Sequence, residues 1–321
     1  MQVPLTCFPG SALPLNMINW HAICGHLCTQ TRSDLKFSSV SAVSGGNSNQ
    51  TYLLSVADTT LNNGTRKYFV KLNADQYLQA FISERVSLES IWQTHSVCVP
   101  QVIVQGLVGE YAYLVLEYLP LSGSGNSHLL GTQLAAMHRT QATHHGWQHD
   151  NTLGLTTQLN TWTNDWSNFW REQRLGYQLD LARQNGFCGK LQSLGHRVLD
   201  ALPDLLAGHQ PPPSLLHGDL WSGNHGYQND GSPVIFDPAS YYGDRETDIA
   251  MTELFGGFHH DFYTAYRSAY PLDAGYESRR SLYNLYHILN HCNMVSSSYV
   301  MQAEAMMKLI LAGQTGYSGN S

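Results

Sequence analysis

Residues 214–251 hold the side chains whose types and spacing are best suited to chemistry in this chain. Asp219 and Asn224 lie five residues apart, and Asp237 follows thirteen residues later, after the apolar run 234–236. A carboxylate that follows a short strand can orient a substrate hydroxyl, while an amide and a second carboxylate can hold Mg²⁺ on nucleotide phosphates. The spacing therefore indicates phosphoryl transfer.

Each of these three residues also has an ordinary structural interpretation. Asp219 and Asn224 are common turn residues, and Asp237 could cap a helix. For one such residue alone the structural interpretation is the better one. The ordered set of three favours chemistry.

Lys71 and Glu84 could supply the complementary groups in the amino-terminal part. Lys71 lies between apolar residues of an expected strand, where its ammonium group must find an anion or reach solvent, and Glu84 lies thirteen residues later on an expected helix. A Lys and Glu pair of this kind positions the Lys on the α- and β-phosphates. Glu89 is the alternative helix acid, and we favour Glu84. An exposed strand Lys and a solvated helix Glu are the structural alternative.

Two further segments could bind a nucleotide. The small polar turn at residues 44–49 would let backbone N–H groups approach phosphates closely, although it matches no standard phosphate-loop motif and could be an ordinary hairpin turn. The segment 117–119 follows an expected strand and could bond adenine through its backbone. The candidate residues are Ser44, Gly45, Gly46, Asn47, Ser48, Asn49, Glu117, Tyr118 and Leu119.

The elements that must position these residues fall into two parts. A helix is expected at 16–32, followed by five strands, with one long amphipathic helix at 75–95 between the third and fourth. After the small, polar linker 121–127 the chain is expected to be mostly helical, with one β-like island at 214–237. The fold class is therefore α+β, with a five-stranded antiparallel sheet and a helix in an amino-terminal nucleotide-binding lobe at 1–120, and a mostly helical catalytic and acceptor-binding lobe at 121–321. The expected strands are 36–44, 50–57, 67–72, 101–106 and 111–119, and the expected helical stretches of the second part are 128–139, 165–183 and 281–311.

The chain resembles the fructosamine kinase (ketosamine 3-kinase) family, which has a protein-kinase-like, aminoglycoside-phosphotransferase-like fold of two lobes. The resemblance covers nearly the whole chain after about residue 16, and HGDLWSGN followed by DPASYYGDRETD is highly specific for the family. The segments that carry it are LLHGDLWSGN (215–224), FDPASYYGDRETDIAM (236–251), LFGGF (254–258), LYHILNH (285–291), YFVKLN (68–73), the helix with Glu84, and DWSNFWREQRL (165–175).

The resemblance implies a role for each matching residue. Asp219 would be the catalytic acid or base, Asn224 and Asp237 would bind Mg²⁺, Lys71 and Glu84 would position ATP, and residues 44–49 would cover its phosphates. It also implies phosphorylation of ketosamines at the 3-hydroxyl, which leads to release of the amine and is associated with protein deglycation. The acceptor would be a ribulosamine, erythrulosamine or fructosamine, either a small molecule or a glycated protein Lys.

Other functions stay open beside this one. A choline- or aminoglycoside-type small-molecule kinase would share the four core residues but not the DPASYYGDRE signature, and a nucleotide-binding pseudokinase would bind Mg·ATP without transferring phosphate. HGD and DPA stand where protein kinases have HRD and DFG, and there is no room for a long activation loop. These features argue against a regulated protein kinase.

Two aromatic residues could contact the acceptor. Trp221 lies between Asp219 and Asn224, where its ring could stack on a sugar or pack under the catalytic loop, and Tyr242 belongs to the polar cluster after Asp237. In that cluster we expect structural roles, with Asp248 holding the catalytic loop through buried hydrogen bonds.

Composition excludes several classes of partner. Charged residues are 13% of the 321, and the net charge is −7, so a broad nucleic-acid face or an anionic-membrane patch is not expected. The chain has no apolar run long enough for a membrane span and no secretion signal, so we expect a cytoplasmic protein. The six scattered cysteines are typical of reduced thiols, and zinc is not expected at the Cys and His residues of the helices. The sequence does not predict the oligomeric state.

Overall fold

The computed structural model describes residues 18–43, 49–58 and 64–315. The chain forms two compact units. The first comprises Met1–Ile82 and Pro100–Leu119, and the second comprises Ser83–Val99 and Pro120–Ser321.

The first unit is built on a five-stranded sheet in which every neighbouring pair is antiparallel. The strand order is β1-β2-β3-β5-β4. This confirms the expected sheet and the helix between its third and fourth strands. The elements are α1 (Trp20–Thr31), β1 (Leu35–Ala42), β2 (Gln50–Asp58), β3 (Gly64–Ala74), α2 (Leu78–Gln93), β4 (Val102–Val108) and β5 (Tyr111–Glu117), with a 3₁₀ turn at Asp75–Tyr77 before α2, whose carboxyl-terminal part belongs to the second unit.

Helix α1 covers one face of this sheet. Tyr52, Leu54 and Val56 alternate along β2 with less buried residues, so one face of the strand is apolar, as a half-buried strand requires. Trp20 of α1 packs edge-on against Tyr52, with ring centroids 5.1 Å apart. The central strand β3 pairs with β2 on one side and with β5 on the other.

The second unit is mostly helical, as expected, but it contains more short strands than the sequence indicated. The hairpin β6–β7 was missed because its strands have three residues each and lack an apolar run. The elements are α3 (Ser127–Met137), β6 (Asn151–Leu153), β7 (Thr156–Gln158), α4 (Trp166–Phe169), a π-helical segment (Trp170–Gly176), α5 (Tyr177–Gln184), α6 (Lys190–Leu205), β8 (Ser214–Leu215), β9 (His225–Tyr227), β10 (Pro233–Ile235), β11 (Tyr242–Gly243), α7 (Glu246–Leu254), α8 (His260–Ala269), α9 (Tyr276–Met294) and α10 (Tyr299–Thr315).

Two of the predicted long helices are interrupted. The stretch 165–183 is a short α-helix, a π-helical segment and a second α-helix, and the stretch 281–311 is divided between α9 and α10. Ser296, Ser297 and Ser298 lie at the second break, where serine hydroxyls compete for backbone hydrogen bonds. Helix α9 is buried along most of its length and forms the core of the unit.

None of the helices in the described ranges combines the length and apolar character that a membrane span needs.

Candidate active site

A loop between β8 and β9 brings Asp219 and Asn224 together. The Asn224 amide Nδ2 donates to the Asp219 carbonyl oxygen at 2.9 Å and to its carboxylate Oδ2 at 3.2 Å. Both bonds use the NH₂ group of Asn224, so its amide oxygen is left for another partner. The loop reverses the chain direction within five residues, so the Asp219 and Asn224 side chains lie in contact.

The hairpin β9–β10 brings Asp237 to the same loop. Phe236 N–H donates to the Asn224 carbonyl at 3.0 Å, and the buried His217 ring donates from Nε2 to the Phe236 carbonyl at 2.9 Å. The ring also accepts from the Asp219 N–H through Nδ1 at 3.3 Å. Burial lowers the pKa of His217, so the neutral ring with its proton on Nε2 matches both bonds. His217 therefore joins the two loops through its ring.

Gly218 allows the two loops to pack back to back. Its φ is +84°, and a Cβ there would overlap the carbonyl oxygen of Ala239. The Ala239 N–H donates to the His217 carbonyl at 2.9 Å beside it. Only glycine meets both the conformational and the steric demand.

Asp248, at the start of α7, holds the loop between β8 and β9 through its carboxylate. Its Oδ2 accepts from the His217 N–H at 2.7 Å, and its Oδ1 accepts from the Gly218 N–H at 2.8 Å. The buried His138 ring donates to Oδ2 from 3.1 Å and reaches the Tyr266 hydroxyl with its other nitrogen at 2.7 Å. Burial opposes ionisation of Asp248, but these donors outweigh it and lower its pKa. The expected buried anchor is therefore present, and His138 is a partner that the sequence did not indicate.

The carboxyl of Asp219 is electrostatically unusual. Burial is the largest cause and the nearby Asp237 carboxylate the next, and together they raise its pKa to about 7, against the opposing hydrogen bond from Asn224. A carboxyl with a pKa near neutrality is a candidate acid or base because it can exchange a proton at physiological pH.

The donor set of this site fits a divalent cation such as Mg²⁺. The unused amide oxygen of Asn224 and the carboxylate of Asp237 are hard oxygen ligands, and the mutual repulsion of Asp219 and Asp237 would be relieved by a positive charge.

A group of one histidine and two carboxylates near the start of α7 is better explained by ion pairing than by metal binding. His209, Glu246 and Asp273 lie close enough to share an ion. However, both carboxylate oxygens of Glu246 already accept from Arg279, at 2.7 and 2.9 Å. The guanidinium Nη2 of Arg245 lies 3.8 Å from the carboxylate Oδ1 of Asp273. The negative charges of Glu246 and Asp273 are therefore each matched by an arginine.

In the first unit, Lys71 is buried in the middle of the central strand β3. It lies opposite Thr51 of β2 and Leu114 of β5. Asn73 of the same strand donates to the side chain of Asn49 at 2.8 Å, which ties the carboxyl end of the predicted phosphate loop to β3. The rest of that loop, Ser44 to Ser48, lies outside the described residues.

The predicted adenine segment follows β5 in the same unit. The Glu117 N–H donates to the Gln101 carbonyl at 2.8 Å, so that group is already used. The prediction for this segment therefore depends on the Glu117 carbonyl and on the backbone of Tyr118 and Leu119, all of which are partly exposed residues.

Glu84 and the alternative Glu89 have different surroundings on α2. Glu89 accepts both of its hydrogen bonds from Arg85, at 2.9 and 3.0 Å, on an exposed face. Glu84 is partly buried. The choice of Glu84 over Glu89 stays a prediction.

The two predicted acceptor residues lie in aromatic surroundings. Trp221 is partly buried and meets Phe255 edge-on at 6.1 Å, and its ring leaves no space for a side chain at Gly223. Tyr242 packs between Trp147, at 5.3 Å, and the exposed Trp162, at 6.2 Å. Both rings are partly accessible, and the structure does not bring them together in a shared contact among the described residues.

Comparison with known proteins shows the family of this chain. Residues 19–313 match the family model described as fructosamine kinase. A probable ketoamine kinase of Synechocystis sp. is 44% identical over 91% of this chain and 97% of its own. A chloroplastic protein-ribulosamine 3-kinase of Arabidopsis thaliana is 41% identical over 75% of this chain and 74% of its own.

A solved structure shares the fold. The crystal structure of a putative fructosamine-3-kinase from Haemophilus somnus superimposes with a TM-score of 0.82 at 31% identity, over 91% of this chain and 97% of that one. The structure of a gentamicin–APH(2")-IIa complex superimposes with a TM-score of 0.59 at 14% identity, over 92% of this chain and 96% of that one, which confirms the expected protein-kinase-like α+β fold. With a family model that matches nearly all of its length, this chain belongs to the fructosamine kinase family.

Proposed function

We propose that this protein is an ATP-dependent kinase that phosphorylates the 3-hydroxyl of ketosamines. The observation that carries the proposal is the Asp219, Asn224 and Asp237 constellation, held by hydrogen bonds in a chain 44% identical to a probable ketoamine kinase. The acceptor would be a ribulosamine, erythrulosamine or fructosamine, as a small molecule or on a protein Lys. Such a reaction in the cytoplasm would contribute to deglycation.

In the proposed reaction, Asp219 acts on the acceptor. Its carboxylate accepts the proton of the 3-hydroxyl as the new bond from that oxygen to the γ-phosphorus forms and the bond from phosphorus to the leaving oxygen of ADP breaks. The donor from Asn224 orients the carboxylate, so that one oxygen stays available to the substrate. Correct placement of the hydroxyl and stabilisation of charge supply most of the acceleration.

The remaining roles follow the sequence prediction. Residues 1–120 would form the nucleotide-binding lobe, in which Lys71, together with Glu84, positions the α- and β-phosphates and residues 44–49 cover them. Glu117, Tyr118 and Leu119 would bond adenine through their backbone. Asn224 and Asp237 would hold Mg²⁺, which neutralises phosphate charge when bound. Residues 121–321 would bind the acceptor, with Trp221 and Tyr242 as candidate contacts.

An acceptor panel tests this function. We expect Mg²⁺-dependent formation of ADP and of a 3-phosphorylated product with at least one of ribulose-lysine, erythrulose-lysine and fructose-lysine. Choline and aminoglycosides, assayed in parallel, should not be phosphorylated. Activity on one of these alone would replace the proposed substrate class, and tight Mg·ATP binding without transfer to any acceptor would indicate a pseudokinase.

The raised pKa of Asp219 predicts proton release on ligand binding. With a pKa of about 7, Asp219 is partly protonated in the free protein at neutral pH. Positive charge brought to Asp237 and Asn224 favours the carboxylate, so binding of Mg²⁺ with a non-hydrolysable ATP analogue should expel that proton. Calorimetric titrations at about pH 7 in buffers of different ionisation enthalpy measure the number of protons released.

The matched variant for this measurement is Asp219→Asn, which keeps the shape of the side chain but cannot titrate. It should release fewer protons than the wild type, and the difference should disappear about two pH units above the pKa of Asp219. Equal proton release by the two proteins at neutral pH would contradict the raised pKa.

A further inference from the structure

The hairpin β6–β7 carries two buried amide side chains that bond the backbone following Asp237. Asn151 donates from Nδ2 to the Ser240 carbonyl at 2.8 Å, and Gln158 donates from Nε2 to the Ala239 carbonyl at 3.0 Å. Both side chains are buried, as are Ala239 and Ser240. Without these donors the two carbonyl groups would be left buried and unpaired, which is costly.

The two amides also fix each other. The Asn151 Oδ1 accepts from the Nε2 of Gln158 and from the Nδ2 of Asn160, both at 2.9 Å. The Tyr286 hydroxyl of α9 donates to the Gln158 Oε1 at 2.9 Å. Because donors and acceptors alternate along this chain of bonds, neither amide can rotate without breaking several of them.

Arg174, in the π-helical segment, closes this set of bonds. Its guanidinium donates to the Asn160 Oδ1 at 2.8 Å and to the Leu159 carbonyl at 2.5 Å, and it lies 4.1 Å from the ring centre of Tyr241. The residue is fully buried, and its hydrogen bonds within the described parts of the chain go to backbone carbonyls and to Asn160 rather than to a carboxylate. A buried cation is expensive to retain, and π-helical segments often occur at functional sites. Asn151, Gln158, Asn160, Arg174 and Tyr286 are called the amide network below.

The segment that the amide network holds needs such support. Asp237 has a φ of +58°, in the left-handed region that a residue with a Cβ enters at a cost. Conformations of this kind persist where the surrounding structure over-determines them. The Phe236 N–H is bonded on the amino-terminal side of Asp237, and the amide network bonds the carboxyl-terminal side.

We propose that the amide network positions Asp237 for a divalent metal ion, which makes Asn151 and Gln158 positioning residues of the reaction. The inference rests on the proposed function, because it takes Asp237 to be a ligand of Mg²⁺. It also gives a role to the DWSNFWREQRL segment, which contains Arg174 and belongs to the family resemblance but to none of the ATP or metal positions.

Metal binding in a Gln158→Met variant tests the proposal. Methionine has a similar volume but cannot bond Ala239, so Asp237 should be held less firmly and the dissociation constant of Mn²⁺ should rise about tenfold. The constant is measured by electron paramagnetic resonance on the full chain with a non-hydrolysable ATP analogue. Thermal unfolding of the same sample reports the structural cost separately.

Gln192→Met is the matched control. Gln192 lies in α6 of the same unit, is partly buried, and also donates from Nε2 to backbone carbonyls, those of Leu179 at 2.9 Å and Phe187 at 3.0 Å, away from the segment after Asp237. It should lower the unfolding temperature while leaving the Mn²⁺ constant within about twofold of wild type. An unchanged Mn²⁺ constant in Gln158→Met, or an equal rise in both variants, would overturn the proposal.

Tyr286→Phe keeps the test decisive if Gln158→Met does not fold. It removes only the hydroxyl that bonds Gln158, so the dissociation constant of Mn²⁺ should rise by about two- to threefold. An unchanged constant would contradict the positioning role of the amide network. These constants do not depend on an acceptor. Absence of ketosamine phosphorylation by the wild type would therefore refute the proposed function, whereas absence of a Gln158 effect would refute only the positioning role.

Discussion

Replacement of Asp219 by Asn is expected to lower turnover at least ~10²-fold while ATP still binds. The amide occupies the same volume and can still meet Asn224, but it cannot accept the hydroxyl proton of the acceptor as the new phosphate bond forms. Because Asp219 is proposed to act on the acceptor rather than on the nucleotide, the dissociation constant of ATP should change by less than about threefold. Steady-state kinetics with a ketosamine acceptor and a separate nucleotide titration measure the two quantities.

Asp230→Asn provides the control in the neighbouring turn. Asp230 is exposed between β9 and β10, and its carboxylate accepts from the Ser232 N–H at 2.9 Å. The same substitution there should leave turnover within about twofold of wild type, because the side chain has no part in the proposed reaction. Near-normal turnover in Asp219→Asn would remove Asp219 from its role, and a large loss in Asp230→Asn would show that the assay responds to general damage.

The sheet of the first unit could be predicted from the sequence because its information is local. Alternating apolar residues predict strands, polar segments predict turns, and the amphipathic pattern predicts the helix. Antiparallel neighbours can be joined by short turns, so adjacent strands in the sequence are expected to pair. Lys71 could be placed on its strand for the same reason. Even so, the sequence did not show that β5 lies between β3 and β4, because that order depends on pairing across a long connection.

The site in the second unit could be predicted only in part. Asp219, Asn224 and Asp237 are visible as an ordered motif, and the structure places Asp219 and Asn224 within hydrogen-bond distance. His138 could not be identified, because it follows α3 and lies 110 residues before Asp248 in the sequence. The same holds for Asn151 and Gln158, since polar residues in a short hairpin give no sign of what they will bond once buried.

Replacement of Asp248 by Asn is expected to destabilise the fold by about 2–4 kcal/mol and to lower turnover about 10²-fold. The carboxylate accepts three bonds, from the N–H groups of His217 and Gly218 and from the His138 ring. An Asn side chain has one acceptor oxygen and one NH₂ group. Its NH₂ group would therefore face at least one of these donors, and that hydrogen bond would be lost. The loop that carries Asp219 would then lose its anchor. Urea unfolding and steady-state kinetics measure the two effects.

Asp180→Asn is the exposed control for this substitution. Asp180 forms a surface ion pair with Arg183 at 2.9 Å, and such pairs contribute at most about 0.5 kcal/mol. The free energy of unfolding should therefore change by no more than that, and turnover should stay at the wild-type value.

The pH dependence of stability separates the two sites further. Since the folded protein lowers the pKa of Asp248, its stabilising effect is present above the unfolded pKa of about 4 and is lost as the pH falls through the lower folded value. The stability difference between wild type and Asp248→Asn should therefore shrink below about pH 4, and a difference that stayed constant there would mean that the charge of Asp248 does not anchor the loop.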